Sequence, residues 1–369
     1  MDVVKTAARL LRAESPSGGE APAARVLIEE AEALGFEPEL DEAGNVEFVI
    51  GAGEHEVLLT GHMDVVPAGD AGEWPHPPFA GQVVEGELWG RGAVDMKGAL
   101  AAMLGAMEKL AASPPPGRVR FLAVVQEEVG GLGSRYAAER LRADVALLGE
   151  PSSLKLMRGH RGRLEIWADY EGRLAHAARA ELGLNPLPEM GRFLAALEAF
   201  ETASHPDLGE ASCTPTFAGS QPKATNVVPG LAQVCIDYRF VPGEDPEAIV
   251  ERMRLLAGDA SVYVPTSERQ SGEVKMSYPM VFPPYLVEAD HPLVQAALRE
   301  LGQQEAGIWW FTTDAPYLAS SGAVVLGLGP GDPELAHTTR ERLATGELEA
   351  AVDAYERVSR RLLEVLSGG

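Results

Sequence analysis

Apolar runs of strand length alternate with helix-length segments, and this alternation constrains the fold of the chain more than any other feature. The strand-like runs lie at residues 46–50, 57–60, 118–125, 145–148 and 323–328. An Ala-, Leu- and Met-rich stretch at 97–112 predicts a helix that ends before three consecutive prolines. Strands that alternate with helices of this length indicate an α/β fold with a doubly wound, mostly parallel sheet.

The pattern changes between residues 162 and 281. Residues 163–170 and 231–240 alternate between apolar and polar side chains, as half-buried strands do, and 187–200 has a helical pattern. This pattern predicts a smaller α+β domain that is inserted into the first domain. We therefore expect one domain formed by residues 1–161 and 282–369, interrupted by a second domain at 162–281.

Charge and composition restrict the partners. The 369 residues carry a net charge of −24, which argues against nucleic acid and anionic membranes because both require a basic surface. Two cysteines, Cys213 and Cys235, form neither a disulfide framework nor a Cys-x-x-Cys motif. The N-terminus lacks the layout of a secretory signal, and no apolar run approaches the length of a membrane span. We expect a cytoplasmic protein that acts on a small molecule.

Imidazole and carboxylate side chains recur where strand-like runs end. They are His62, Asp95, the pair Glu127 and Glu128, Glu150, and His337. Taken singly, each has an ordinary explanation, such as a hydrogen-bonded buried histidine or a solvated turn. In open α/β sheets, however, ligands bind at the carboxyl ends of the strands, so these groups are expected to converge. Several carboxylates in one crevice require a compensating cation, and this donor set suits Zn²⁺, with Co²⁺ or Mn²⁺ as alternatives.

Five ligands serve two metal sites only if one is shared. Asp95, central in the order, is the natural bridge, and two metals about 4 Å apart that share a water molecule form a hydrolytic site. Adjacent Glu127 and Glu128 point in opposite directions if their segment is extended, so one can bind metal while the other acts as general base. His62 and Asp64 share a strand face, which makes Asp64 a candidate to orient the imidazole.

The motifs GHMDVVP, EWPHPPF, GRGAVDMKG, QEEVGG, GEPS, NVVPG and AHTTRER run nearly from end to end of the chain. In these motifs the chain resembles the zinc-dependent acetylornithine deacetylase, succinyl-diaminopimelate desuccinylase and aminoacylase family. The resemblance implies two metal ions, one held by His62, Asp95 and Glu150, the other by Asp95, Glu128 and His337. It also implies that Asp64 orients His62, that Glu127 is the base, and that the Asp95–Met96 peptide is cis.

The inserted segment resembles the family's lid, which dimerises. By this resemblance His176 reaches the active site of a partner subunit and stabilises the oxyanion, while Asn226 and Arg239 hold the substrate. A guanidinium suits bidentate capture of an α-carboxylate. The chain departs from the family where Ala177, Ala178 and Ala180 follow the histidine in place of two serines and a proline.

A single segment, residues 312–316 with the sequence TTDAP, suggests the substrate. Desuccinylases of the family carry a Thr-Ser-Asp-x-Arg run, whereas this chain has Pro316 in place of that arginine. The segment is more similar to acetylornithine deacetylases, so we expect deacetylation of an N-acyl basic amino acid, with N-acetylornithine first. A desuccinylase, a broad aminoacylase and a di- or carboxypeptidase stay open as alternatives. A non-catalytic binding protein would not need Glu127, and a serine hydrolase would need a Gly-x-Ser-x-Gly motif that is absent.

Overall fold

The computed structural model describes residues 1–368, in which helices and strands are distributed along the whole chain. The helices are α1 (Val3–Arg12), α2 (Ala21–Ala33), α3 (Lys97–Ala112), α4 (Leu132–Ala138), α5 (Leu187–Leu197), α6 (Pro246–Ala257), α7 (Pro292–Leu301), α8 (Ala315–Ala319) and α9 (Thr345–Leu366). The strands before residue 162 are β1 (Glu39–Leu40), β2 (Val46–Ala52), β3 (Glu56–His62), β4 (Gln82–Val84), β5 (Glu87–Trp89), β6 (Gly117–Val124), β7 (Val145–Leu148) and β8 (Met157–His160). The later strands are β9 (Arg163–Glu171), β10 (Ala175–His176), β11 (Ser204–His205), β12 (Gly209–Glu210), β13 (Ser212–Gln221), β14 (Val227–Val228), β15 (Leu231–Arg239), β16 (Ser261–Tyr263), β17 (Thr266–Ser271), β18 (Val274–Pro279), β19 (Val281–Phe282), β20 (Tyr285–Leu286), β21 (Gly307–Trp309), β22 (Val324–Gly327) and β23 (Arg342–Ala344).

A large mixed sheet organises the first unit. Its strand order is β1-β2-β6-β3-β7-β22-β8-β20, with β21 paired to β8. The four middle strands, β6, β3, β7 and β22, run parallel to one another. Antiparallel strands flank them on both sides. The prediction of an α/β fold with a mostly parallel central sheet is confirmed.

Helices cover both faces of this sheet. Every residue of β3 is buried, so its side chains do not alternate between apolar and polar as they do in a one-sided sheet. Leu59 belongs to the large core that includes α1, α3 and α9. Its neighbour Leu58 points to the opposite face and belongs to a smaller core with Ala137 of α4 and Leu318 of α8.

A second sheet forms the inserted unit. Its strands β13, β15, β9 and β16 lie in this order, with β19 also paired to β9, and all pairs are antiparallel. Alternate residues of β9 are buried, and they share a core with Phe193 of α5 and Met253 of α6. One face of the sheet is therefore packed against helices.

The chain leaves the large sheet for the second sheet between β8 and β9 and returns to the large sheet between β19 and β20. The hairpin formed by β17 and β18 leaves the second sheet and contacts the first unit, where Gln126 Nε2 donates to the carbonyl of Gln270 (2.8 Å). We propose that the two sheets mark two domains with the boundaries 1–161, 162–281 and 282–369. Among residues 1–368, no helix is long and apolar enough to cross a membrane.

Candidate metal centre and active site

The carboxyl ends of the parallel strands lie side by side. His62, the last residue of β3, is in register with Val124 of β6. Leu148, at the end of β7, is in register with Gly327 of β22. His62, Glu128 and Glu150 lie at or just beyond the ends of these strands, Asp95 lies directly before α3, and His337 lies in the loop after β22. The candidate ligands therefore meet at one edge of the sheet.

Gly329 allows two neighbouring loops to approach closely. A Cβ atom at Gly329 would lie 2.2 Å from the carbonyl oxygen of Gly149 and 2.3 Å from that of Glu150. Only glycine fits there, since real Cβ atoms do not approach within 3.0 Å. This contact presses the loop after β22 against the loop that carries Glu150.

The first ligand cluster consists of His62, Asp95 and Glu150. His62 Nε2 lies 2.9 Å from Asp95 Oδ1 and 3.8 Å from Glu150 Oε1. The three side chains are almost completely buried. Their candidate ligand atoms lie within 4.8 Å of one another, which allows a single cation to contact all three.

The second cluster consists of Asp95, Glu128 and His337. His337 Nε2 lies 3.1 Å from Asp95 Oδ2 and 3.0 Å from Glu128 Oε1. Asp95 thus directs one oxygen toward each histidine, as a bridging carboxylate must. His337 has a left-handed backbone conformation (φ 62°) and its imidazole is half exposed. The peptide bond after Asp95 is cis, as the resemblance implies.

The pKa values of these groups reflect their crowding. Burial alone would lower the pKa of His62, but its hydrogen bonds with Asp64 and Asp95 raise it well above the usual value. Hydrogen bonds to Asp95 and Glu128 raise the pKa of His337 to about 10. Burial, together with the charge of Asp95, raises the pKa of Glu150 well above its usual value. Such a cluster favours bound cations because they compensate the buried carboxylates.

Glu127 and Glu128 lie in a 3₁₀ turn (Glu127–Val129) rather than in an extended segment, which corrects the local conformation expected from the sequence. The two side chains still separate: Glu128 contacts His337, whereas Glu127 belongs to neither ligand cluster and lines the adjacent cavity. Burial, and then the charges of Asp314 and Glu150, raise the pKa of Glu127 well above its usual value. A high pKa suits a group that accepts and later donates a proton.

Asp64 holds this turn in place. Its carboxylate oxygens accept hydrogen bonds from the backbone N–H groups of Glu127 (3.0 Å) and Glu128 (3.2 Å). The imidazole of His62 has its closest contact with the backbone carbonyl oxygen of Asp64, at 2.8 Å from Nδ1, while the Asp64 carboxylate lies at 3.6 Å. The structure therefore places Asp64 beside His62 and gives it a further contact with the turn that the sequence did not reveal.

Two other buried carboxylates near the site were missed by the sequence analysis. Glu20 accepts the N–H of Gln126 (3.2 Å), which has a left-handed backbone (φ 55°) directly before Glu127. Asp314 lines the cavity and is 3% exposed, and burial raises its pKa to about 6. Asp314 lies in the segment that was compared with the deacetylases, so that comparison was the available signal. Glu20 has no sequence signal because it resembles any acidic residue at a helix start.

A cavity of about 310 Å³ extends from the ligand clusters to the second sheet. Arg239, from β15, lines the cavity together with Arg163 and the aromatic side chains of Phe282 and Trp310. Arg239 donates to both carboxylate oxygens of Asp237 (2.6 and 3.3 Å) and to Thr312 Oγ1 (3.4 Å). These contacts use three of the five N–H groups of a guanidinium.

His176 and Asn226 do not line this cavity. Both side chains are exposed, on a short ribbon in which β10 pairs with β14. The N–H of Ala178 donates to His176 Nδ1 (3.0 Å). Of the three lid residues predicted to bind substrate, the structure brings only Arg239 to the cavity of its own chain.

A mostly parallel sheet that carries two adjacent imidazole–carboxylate clusters at its carboxyl edge defines the class of metal-dependent hydrolases. A sequence model described as Peptidase family M20/M25/M40 matches residues 58–361. The chain belongs to this peptidase family, and it is an enzyme that hydrolyses amide or peptide bonds with the help of metal ions. This match confirms the metallohydrolase family to which the sequence pointed, but it does not distinguish deacetylases and desuccinylases from peptidases.

Solved structures share the fold over nearly the whole chain. An M20 family metallo-carboxypeptidase of Sulfolobus solfataricus has a TM-score of 0.80 at 18% identity, covering 98% of this chain and 99% of that one. The aminopeptidase PepT of Bacillus cereus has a TM-score of 0.75 at 21% identity, covering 98% of both chains. A Bacillus subtilis protein described as a dinuclear metal-binding peptidase has a TM-score of 0.71 at 16% identity, again covering 98% of both chains.

Proposed function

We propose that the protein is a dinuclear metal-dependent hydrolase that removes the acyl group from an N-acyl amino acid, with N-acetylornithine as the preferred substrate. The observation that carries the proposal is Asp95, whose two oxygens face two separate ligand clusters beside a non-ligand glutamate. A structural metal site needs neither the shared carboxylate nor Glu127.

The residues present fit a pair of divalent ions. His62, Asp95 and Glu150 would hold one ion, and Asp95, Glu128 and His337 the other. The mixed nitrogen and oxygen donors suit zinc, with cobalt or manganese as alternatives. When bound, the ions supply Lewis-acid polarisation of the substrate carbonyl and increase the acidity of water.

The chain's own residues perform the proton transfers. Glu127 is anchored through its backbone N–H to Asp64 and lines the cavity next to both clusters. In the proposed reaction its carboxylate takes a proton from the attacking water and delivers it to the leaving amine nitrogen. Removing such a general base typically slows a reaction by about 10²- to 10⁴-fold.

Arg239 is proposed to bind the α-carboxylate of the substrate. It lies in the same cavity as Glu127, and Asp237 fixes the plane of its guanidinium. The cavity volume of about 310 Å³ suits a molecule of amino-acid size. Pro316 stands where desuccinylases of the family have arginine, which favours an acetyl over a succinyl group.

The second candidate is a di- or carboxypeptidase. It uses the same residues, and the family description of the chain as a peptidase favours it. The two candidates differ in the group that supplies the carbonyl of the scissile bond. This group is a simple acyl group for the deacylase and an aminoacyl residue for the peptidase.

We further propose that the active enzyme is a cytoplasmic homodimer formed through the second domain. His176 is exposed and does not line the cavity of its own chain, so it can act there only if a partner subunit or a domain movement brings it to a cavity. Strand β13 is the edge strand of its sheet and is largely exposed, which leaves its backbone available for pairing.

A substrate panel tests the proposal. The protein is stripped with a chelator, reloaded with zinc or cobalt, and assayed with N-acetylornithine, N-acetylnorleucine, N-succinyl-diaminopimelate and a dipeptide. N-acetylnorleucine is the matched control because it replaces the terminal amine with a methyl group. We expect the highest kcat/KM for N-acetylornithine and no activity before reloading. Faster turnover of the dipeptide would establish the peptidase instead, and hydrolysis of none would contradict both.

A further inference from the structure

Glu341 is a completely buried carboxylate that belongs to neither ligand cluster. It lies four residues after His337, in the segment that leads into β23. Its Oε1 accepts hydrogen bonds from three backbone N–H groups in the loop before α3, those of Gly92 (2.9 Å), Val94 (3.0 Å) and Asp95 (3.2 Å). Its Oε2 accepts from Arg91.

These contacts join two loops that bear ligands. One loop carries Asp95, which both clusters share, and the other carries His337, which belongs to the second cluster only. The pairing of β23 with β5 and a hydrogen bond from the N–H of Gly90 to the carbonyl of Glu341 (3.2 Å) reinforce the junction. Among these contacts, the Glu341 side chain is the one that reaches the backbone N–H of Asp95 itself.

His337 does not fix its separation from Asp95 by its own packing. The imidazole of His337 is half exposed. The loop before Asp95 includes Gly92 with φ 86°, a conformation that few other residues adopt. Three N–H groups of this loop donate to the same acceptor, and that acceptor is a side-chain oxygen from outside the loop. Metal ligands elsewhere are oriented by hydrogen-bonding partners of this kind.

We infer that Glu341 is a positioning residue of the metal centre, which sets the geometry of the second cluster by tying the Asp95 loop to the His337 loop. The inference rests on the proposed dinuclear centre, and it concerns metal affinity rather than the identity of the substrate.

A matched control separates positioning from general stabilisation. Glu56 is also completely buried and paired with arginine, accepting from Arg120 Nε at 2.7 Å. It begins β3, whereas His62 ends the same strand. Replacing Glu56 thus removes a buried carboxylate from the same domain at the opposite end of the sheet from the ligands.

The test compares Glu341→Ala, Glu341→Gln and Glu341→Asp with Glu56→Ala. Zinc affinity is measured by competition with a chromophoric chelator, and Tm is measured on the metal-free proteins. For Glu341→Ala we expect a lower Tm and a loss of about 10- to 100-fold in affinity for one of two zinc equivalents. Glu341→Gln is expected to restore most of that affinity, because its amide oxygen can accept from the same N–H groups. Glu56→Ala is expected to lower Tm and leave zinc affinity unchanged.

Wild-type zinc affinity in a folded Glu341→Ala protein would overturn the inference. If that variant does not fold, Glu341→Asp decides the question, because it keeps the charge beside Arg91 but is one methylene too short to reach the N–H groups as well. We expect about a 10-fold loss of affinity there, and an unchanged affinity would again reject the positioning role. A wild-type protein that binds fewer than two equivalents would instead contradict the dinuclear centre itself.

Discussion

The edge of the large sheet and the ribbon formed by β10 and β14 contribute to the proposed site in different ways. At the sheet edge, His62, Asp95 and Glu150 are buried and already within ligand distance of one another. On the ribbon, His176 and Asn226 are exposed and contact neither cluster nor cavity. The sheet edge is organised by one folded chain, whereas the role proposed for the ribbon requires a partner subunit or a domain movement that brings His176 to the cavity.

Arg239 lies between these extremes. It belongs to the second sheet, yet it lines the cavity and is held by Asp237 and Thr312. The comparison therefore predicts an order of effects. Catalytic activity should depend most on the sheet edge, less on the ribbon, and least on residues that only join the two regions.

The largest effect is expected at the sheet edge, for Glu127→Gln. This change keeps the size of the side chain and removes its basicity, so kcat should fall by about 10²- to 10⁴-fold. Zinc content, measured by metal analysis, should stay at the wild-type value. The adjacent Glu128→Gln is the matched control and should lower zinc content as well. If Glu127→Gln kept more than a tenth of wild-type turnover with metal bound, another residue would be the base.

The next effect concerns the ribbon. His176→Ala should lower kcat by about 10²- to 10³-fold if the imidazole stabilises the oxyanion. Mixing this variant with Glu127→Gln tests whether the histidine comes from a partner subunit. Random exchange in a dimer gives heterodimers with one intact site, so about a quarter of wild-type activity should return. If mass spectrometry demonstrates subunit exchange and no activity returns, His176 does not act in the active site of a partner subunit.

Arg239→Lys should have a smaller effect, on binding rather than chemistry. A lysine cannot make the bidentate contact of a guanidinium, so KM should rise about 10- to 100-fold while kcat changes little. The corresponding substrate amide, which lacks the carboxylate, serves as the control in steady-state kinetics. An equal increase in KM for the acid and the amide would show that Arg239 does not bind the carboxylate.

The smallest effect is expected at the joint between the regions, where His160 ends β8. Its Nδ1 lies 2.8 Å from the carbonyl oxygen of Arg161, and its Nε2 accepts from the N–H of Thr313 (3.3 Å). Burial lowers its pKa to about 4, against about 6.5 in the unfolded chain. The unfolded state binds the proton first as the pH falls, so His160 reduces stability progressively from about pH 6.5 to pH 4.

His160→Gln keeps a donor and an acceptor without this titration. Urea unfolding of the metal-free proteins at pH 7 and pH 4.5 should show that the wild type loses about 2 kcal/mol more than the variant. Parallel losses would mean that His160 does not stay neutral in the folded protein.

Much of this site was predictable because its signals are local. The ends of β3, β6, β7 and β22 were located from apolar runs, and the rule that ligands gather at carboxyl ends then selected His62, Glu128 and Glu150. The helix α6 was missed although it begins with a recognisable signal, Asp245 capping the N–H of Glu247 with Pro246 between them. Strand β13 was missed because most of it is exposed and Pro215 interrupts its pattern.

Some hydrogen bonds to distant backbone groups could not be predicted from the sequence. Asp64, Glu20 and Glu341 each accept backbone N–H groups from loops far away along the chain. An acidic residue that accepts such bonds looks like any other acidic residue, since the partners carry no distinguishing side chain.

The sequence by itself determined the alternation of strands and helices, the supply of imidazole and carboxylate groups at strand ends, and the presence of an inserted unit. These properties depend on periodicity and residue type over a few neighbouring positions. Only the tertiary structure decided that Asp95 lies between two histidines, that Glu127 lies in a turn held by Asp64, and that Arg239 but not His176 faces the cavity. Such relations depend on the order in which distant strands pair, and that order is fixed by the packing of the whole core.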